Sequence, residues 1–146
     1  MDEMNQLKVF TAEEANRLLP ELTELITRIQ AHQEEILTKE VEIDALEMVH
    51  PAAGEGKPAP EVEREVDVYN QCISQFYSMI DQVHELGCHL KDVETGLVDF
   101  YTVHEGRVVY LCWKLGEKEV GHWHEIGRGF AYRQPIIRED EKESSG

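Results

Sequence analysis

Nowhere in the 146 residues does an apolar run approach the ~18 needed for a membrane-spanning helix. The start Met1-Asp2-Glu3-Met4-Asn5-Gln6 has neither the basic residues nor the apolar stretch of a secretory signal. The expectation is therefore a cytoplasmic protein. Basic side chains are scarce: 14 Lys and Arg face 30 Asp and Glu, for a formal charge of −16. Such an acidic surface repels phosphate backbones and anionic headgroups, which argues against nucleic-acid and membrane partners. Cysteine is also rare, and Cys72, Cys88 and Cys112 are odd in number and at no zinc-finger spacing. In a reducing compartment they read as buried thiols. No Gly-x-Ser-x-Gly element is present, so covalent hydrolase chemistry has no support, and there is no internal repeat.

What the chain does contain is organised in two halves. Its length suits one domain, and residues 1–138 are expected to form it, ahead of a disordered acidic tail over 139–146. Residues 1–86 carry 19 acids against 6 Lys and Arg, whereas residues 87–138 carry 7 against 7 and hold His89, His104, His122 and His124. Recognition or chemistry is thus expected in the second half. In the first, Thr11 and Glu14 have the spacing of a capping box, and Ala15, Leu22, Ile29, Ile36 and Ile43 then recur every seven residues. This predicts a helix over 9–49, kinked or restarted near Pro20. Leu19 and Ile26 form a second apolar row that needs a cover. Three of the five prolines fall in 50–60, a loop. Val62, Val66, Tyr69, Ile73, Phe76, Ile80 and Val83 mark a second helix over 61–86, stopped by Gly87.

From Leu97 the apolar period changes to two. Leu97–His104 and Arg107–Lys114, separated by Glu105-Gly106, read as a tight hairpin. Its register would set Phe100 opposite Leu111 and Val98 opposite Trp113 on a core face. Asp99 would then oppose Cys112 and Tyr101 oppose Tyr110 on a face with chemistry-bearing groups. A third strand near Val120–His124 would place His122 and His124 on one side. The fold expected is α+β: a long antiparallel helical hairpin with coiled-coil-like seams, followed by an antiparallel β-sheet of about three strands packed at one end in a β-rich module over 88–138.

Several ordered stretches, Thr11-Ala12-Glu13-Glu14-Ala15-Asn16-Arg17-Leu18-Leu19-Pro20, Leu90-Lys91-Asp92, Gly96-Leu97-Val98-Asp99-Phe100, Leu111-Cys112-Trp113-Lys114-Leu115-Gly116-Glu117, Trp123-His124 and Gly129-Phe130-Ala131-Tyr132-Arg133-Gln134-Pro135, carry a resemblance. Over residues 9–137 the chain resembles a bacterial family catalogued as domain of unknown function 2203, which has no assigned activity. The resemblance implies a polar signature of Lys91, Asp92, Asp99, Glu117, His124 and Arg133. Tyr101 departs from it where the family has proline, and His122 where the family has no histidine. The second departure weakens a metal site that needs both histidines.

Three constellations bear on function. His122 and His124, with Glu117, Glu125 or Asp99 as a third donor, have the chemistry of a zinc site, but a lone His-x-His is more often a pair of hydrogen-bonding histidines. No metal or other cofactor is therefore expected, with zinc on His122, His124 and Glu117 as the alternative. His84 and His89 are five apart with Gly87 between them, which excludes a zinc-protease helix. Arg128 and Arg133 beside two glycines could clamp a phosphate or carboxylate, or simply pair with acids such as Asp92 or Asp99. The ligand-binding candidates are Lys91, Asp92, Asp99, Glu117, His124, Arg128 and Arg133. They suit a non-enzymatic, oligomeric binding or scaffold module, homodimeric through its helices, that recognises a peptide or small anion. The alternative is a metal-dependent or acid/base enzyme acting on a small anionic substrate with the same residues.

Overall fold

The computed structural model describes residues 8–51 and 56–136; the tail expected over 139–146 lies outside these residues. The elements run α1 (Ala12–Arg17), α2 (Leu19–Val49), α3 (Pro60–Glu85), β1 (His89–Asp92), β2 (Leu97–His104), β3 (Arg107–Lys114), β4 (His122–His124), a 3₁₀ turn (Phe130–Tyr132) and β5 (Gln134–Pro135). This is the α+β class expected. No helix among the described residues is long and apolar enough to cross a membrane.

The expected capping box forms at the start of α1. The Thr11 N–H donates to Glu14 Oε1 at 2.8 Å, and the Glu14 N–H donates back to Thr11 Oγ1 at 3.1 Å. The backbone-directed bond from Thr11 is also the main reason the Glu14 carboxyl lies below its ordinary range. The helix then stops at Leu18 and restarts at Leu19, which places Pro20 in a first turn where its missing N–H has no intrahelical partner to lose.

The chain divides into two compact units, one from Met1–Ile26 with Val83–Gly146 and one from Thr27–Gln82. In the second, α2 and α3 are joined by polar bonds: Lys39 Nζ to Glu65 at 2.9 Å, Tyr69 Oη to Glu40 at 2.7 Å and Cys72 Sγ to Glu35 at 3.4 Å. Positions late in α2 meet positions early in α3, as antiparallel helices require. Ile29, Ile43, Val62, Cys72 and Met79 are buried here, while Leu37, Val41 and Met48 stay exposed.

In the first unit the sheet is a meander in the order β1-β2-β3-β4-β5, antiparallel throughout. The pairing of β2 with β3 matches the expected register at every position named, including Val98↔Trp113, Asp99↔Cys112, Phe100↔Leu111 and Tyr101↔Tyr110. Glu105 and Gly106 both take positive φ, 51° and 80°, the signature of a hairpin turn whose twist matches its strands. Among the described residues there are five strands rather than about three. The two extra ones are edges of four and two residues, too short for an alternating pattern to show in the sequence. Strand β1 is further disguised by a bulge at Lys91, since Leu90 pairs with Val98 and Asp92 with Leu97.

One sheet face is core. Val98, Phe100, Leu111 and Trp113 are buried with Phe10, Leu22 and Ile26, and the Phe10 ring meets Phe100 edge-on at 5.2 Å. Ile26 and Leu19, the second apolar row of the sequence, are buried within the unit, so that row needs no outside cover. Part of the cover for Ile26 comes from Gly96. A Cβ built on that glycine, which has φ of 68°, would lie 2.6 Å from Leu115 Cβ and 3.2 Å from Ile26 Cγ2. Gly96→Ala is therefore expected to cost about 1–3 kcal/mol by overpacking alone. Gly121, with nothing within 4 Å of the same position, should accept alanine at a fraction of that cost. Urea denaturation of the two variants measures the difference, and equal losses would contradict this packing.

Candidate functional site

The opposite face of the sheet gathers most of the polar side chains singled out by the sequence. The register places His89, Asp99, Cys112 and His122 in one row across β1 to β4, and Tyr101, Tyr110 and His124 in the next row across β2 to β4. Asp99 and His124 are separated by β3, yet their side chains meet. His124 Nε2 lies 3.2 Å from both Asp99 oxygens. They meet beside Cys112, whose short side chain leaves the room, and all three residues are buried. His124 Nδ1 lies 2.9 Å from the Glu125 carbonyl oxygen. A carbonyl only accepts, so Nδ1 carries the proton and Nε2 is the nitrogen turned toward Asp99. Arg107 anchors Glu125 from the next strand, with Nε donating to its Oε1 at 3.2 Å.

Beside this trio stands an ion pair. Arg133 donates two parallel hydrogen bonds to Glu117, at 3.1 and 2.7 Å. Burial opposes ionisation of Glu117, but Arg133 and the Lys114 N–H together outweigh it and hold the carboxyl below its ordinary range. The same side chain caps its own turn by accepting from the Lys114 N–H at 2.8 Å, and the Glu117 carbonyl accepts from Trp113 Nε1 at 2.9 Å. Burial first, and then the Asp99 carboxylate, push the Cys112 thiol up to about 12, so by itself it is not a nucleophile at neutral pH. His122, opposite Cys112 on β4, has a buried Nδ1 with no hydrogen-bond partner.

On the other side of His124 lies an aromatic and basic cluster. The Tyr110 ring is 5.4 Å from that of His124 and stacks on Tyr101 at 5.0 Å. His89 meets Tyr101 edge-on at 5.0 Å, and Lys91 sits 4.7 Å over the Tyr110 ring. The bulge in β1 is what aims Lys91 there.

The sequence candidates thus separate into distinct roles. Asp99 and His124 come together with Cys112. Glu117 and Arg133 hold each other, so Arg133 pairs with an acid, though not with Asp92 or Asp99. Asp92 accepts from the Thr95 N–H and hydroxyl and closes the β1–β2 turn. Arg128 is exposed, 4.8 Å over Tyr132, whereas Arg133 is paired with Glu117. Of the zinc set His122, His124 and Glu117, only His124 joins the buried trio. The sequence placed Cys112, Tyr101 and Tyr110 on the chemistry-bearing face of the hairpin but did not name them as site residues, reading Cys112 as a buried thiol; their place opposite Asp99 and each other was the available signal.

Clefts elsewhere have different linings. One of about 580 Å³ opens on the apolar face, walled by Thr102, Leu111, Trp123 and Pro135. Another of about 610 Å³ lies in the Thr27–Gln82 unit, walled by Arg28, His32, Ser74 and Ser78. Neither contains the converging donors of the polar face.

Burial lowers the pKa of His89 below the ordinary 6.5, assisted by Lys91 and His84 and partly opposed by Asp99. Between the folded value and 6.5 the unfolded chain holds more protons at this residue. The contribution of His89 to stability is thus intact above 6.5, falls as the pH drops from there to the folded value, and is level below it. His89→Gln should flatten that part of the acid-side loss. Stability curves for both proteins, measured by denaturant at a series of pH values, check this, and parallel curves would refute it.

No curated protein and no solved structure matches the chain. A family described as "Uncharacterized conserved protein (DUF2203)" matches residues 8–136, the whole of the capped helix, the hairpin seams and the polar sheet face. The chain belongs to that family.

Proposed function

We propose that this protein is a non-enzymatic binding module that recognises a small anion on the polar face of its sheet, at Lys91, Tyr110, Tyr101 and His89. The observation that carries this is a chain of donors lacking a good acceptor. Lys91 Nζ lies 3.4 Å from Tyr110 Oη, which lies 3.5 Å from Tyr101 Oη. Both distances are at the long limit of hydrogen bonding, and an ammonium can only donate. The phenol oxygens accept only at these long distances, and an oxyanion would offer the three groups a stronger acceptor. The setting favours it: His84 lies 6.2 Å from His89, and the Lys8 stem rests against Gly87, so basic groups collect at one corner of a chain with net charge −16.

The competing reading, an enzyme with His124 as base, has the Asp99–His124 pair in its favour. Against it, His124 is almost wholly buried and lines neither of the two clefts described above, so no substrate reaches its ring. A cytoplasmic location belongs to the same proposal, as does the absence of nucleic-acid and membrane partners, which rests on the acidic composition.

Inorganic phosphate and acetate are suitable probes. Amide NMR shifts should move at Lys91, Tyr101 and Tyr110 with Kd on the order of 1 mM, about −4 kcal/mol, and Lys91→Met should weaken the response at least about tenfold. Shifts absent from these residues, or unchanged in Lys91→Met, would defeat the assignment.

Homodimerisation through the helices is part of this proposal, supported by the exposed row Leu37, Val41 and Met48 on α2, spaced by four and seven. Light scattering should give the mass of two chains, falling to one in Leu37→Glu/Val41→Glu; a monomeric wild type would end the dimer.

A further inference from the structure

We infer that Asp99, Cys112 and His124 form a buried binding site for a single divalent transition-metal ion of the zinc type. This stands apart from the anion reading, and it uses a donor set that the sequence did not assemble.

The first ground is placement. One carboxylate oxygen, the thiol sulfur and one imidazole nitrogen, each from a different adjacent strand, lie within 4.8 Å of one another. Tetrahedral zinc bonds of about 2.0 to 2.3 Å require donors separated by somewhat less than this, so side-chain adjustments of under an ångström complete the geometry. All three residues are almost wholly buried, at 3%, 0% and 2% exposure. Exposed acids gather on many protein surfaces without a ligand; a carboxylate, a thiol and an imidazole converging in the interior need a reason.

The second ground is orientation. A metal-binding histidine normally donates its other ring N–H to a carbonyl or carboxylate, which fixes the tautomer. His124 does this through Nδ1 to the Glu125 carbonyl at 2.9 Å, and its Nε2 faces the other two donors.

The third ground is the width of the gap. A charge-assisted bond between imidazolium and carboxylate has an expected length of about 2.7–2.9 Å along one direction. Here Nε2 is 3.2 Å from both Asp99 oxygens, longer than that and shared evenly. That spacing is also close to the roughly 3.3 Å that separates a nitrogen and an oxygen donor on one tetrahedral zinc ion.

The surroundings suit a thiolate-bound ion. With Asp99 as carboxylate, Cys112 as thiolate and His124 neutral, a divalent cation makes the group neutral, as a low-dielectric interior requires. Arg133 stands nearby with its own charge balanced by Glu117. The mixture of sulfur, nitrogen and oxygen donors selects zinc or cobalt over calcium and magnesium, which take oxygen alone. Three donors leave one tetrahedral position, and His122, opposite Cys112 with a buried and unpartnered Nδ1, is the next donor the register offers.

Full-length protein purified without a histidine tag should retain about one zinc per chain by elemental analysis. After chelation and cobalt(II) loading it should show a thiolate-to-cobalt charge-transfer band. The band should survive in Cys72→Ser and Cys88→Ser and be lost in Cys112→Ser, and cobalt affinity should fall at least about a hundredfold in Asp99→Asn. Wild-type protein with native circular dichroism that takes up neither metal overturns the inference. So does a band lost in Cys72→Ser or Cys88→Ser, a result that can be read even if Cys112→Ser fails to fold.

Discussion

Glu105 and Gly106 reverse the chain in two residues, and the pairing they impose on β2 and β3 decides what every other part of the sheet can be. Side chains alternate along a strand, so a slip of one residue would exchange the faces. Val98, Phe100, Leu111 and Trp113 would turn outward, while Asp99, Tyr101, Tyr110 and Cys112 would be forced against Phe10 and Leu22. Either outcome removes apolar burial and strands polar groups in the core. Turn and apolar pattern therefore agree, and the polar face follows from the core face: it is what the hairpin must present once its apolar residues are inside.

That coupling explains which parts of the structure were legible in sequence. The cap at Thr11 and Glu14, the restart around Pro20, the stop at Gly87 and the hairpin register all arise from contacts between residues close in the chain, where spacing carries the information. Strands β1 and β5 did not show themselves, because four residues with a bulge and two residues ending in proline have no periodicity to read. Strand β4 was found but over-extended, since Val120 is buried in the connection and not in the ladder; its N–H donates instead to Asn16 Oδ1 at 2.6 Å.

The site was legible in part for the same reason. Asp99, His124, Glu117 and Arg133 could be named, and Asp99 stood among three acids offered as partners of His124, but spacing could not choose between them. The meeting of Asp99 with His124 spans 25 residues and crosses an intervening strand, and it depends on Cys112 being small. Lys91 finds Tyr110 only because a bulge turns it, and no residue type announces a bulge. Cys112 shows the limit most plainly: its burial and its place opposite Asp99 were foreseen, while the approach of His124 to Asp99 across β3 comes from the third dimension alone.

The two short outer strands have a consequence for the kind of partner such a sheet can take. Among the described residues, β1 offers four residues broken by a bulge, and β5 offers two, one of them Pro135, which has no N–H to donate. An incoming extended peptide lengthens a sheet by matching a row of free donors and acceptors along an edge, and neither edge presents such a row. The same blunting denies neighbouring molecules a template for edge-to-edge stacking. Strand addition is thereby closed along β1 and β5 themselves, and on the stretch of β2 beyond β1 the chain's own Val9 already bridges to Tyr101, with the Phe10 N–H donating to the Tyr101 carbonyl at 2.8 Å.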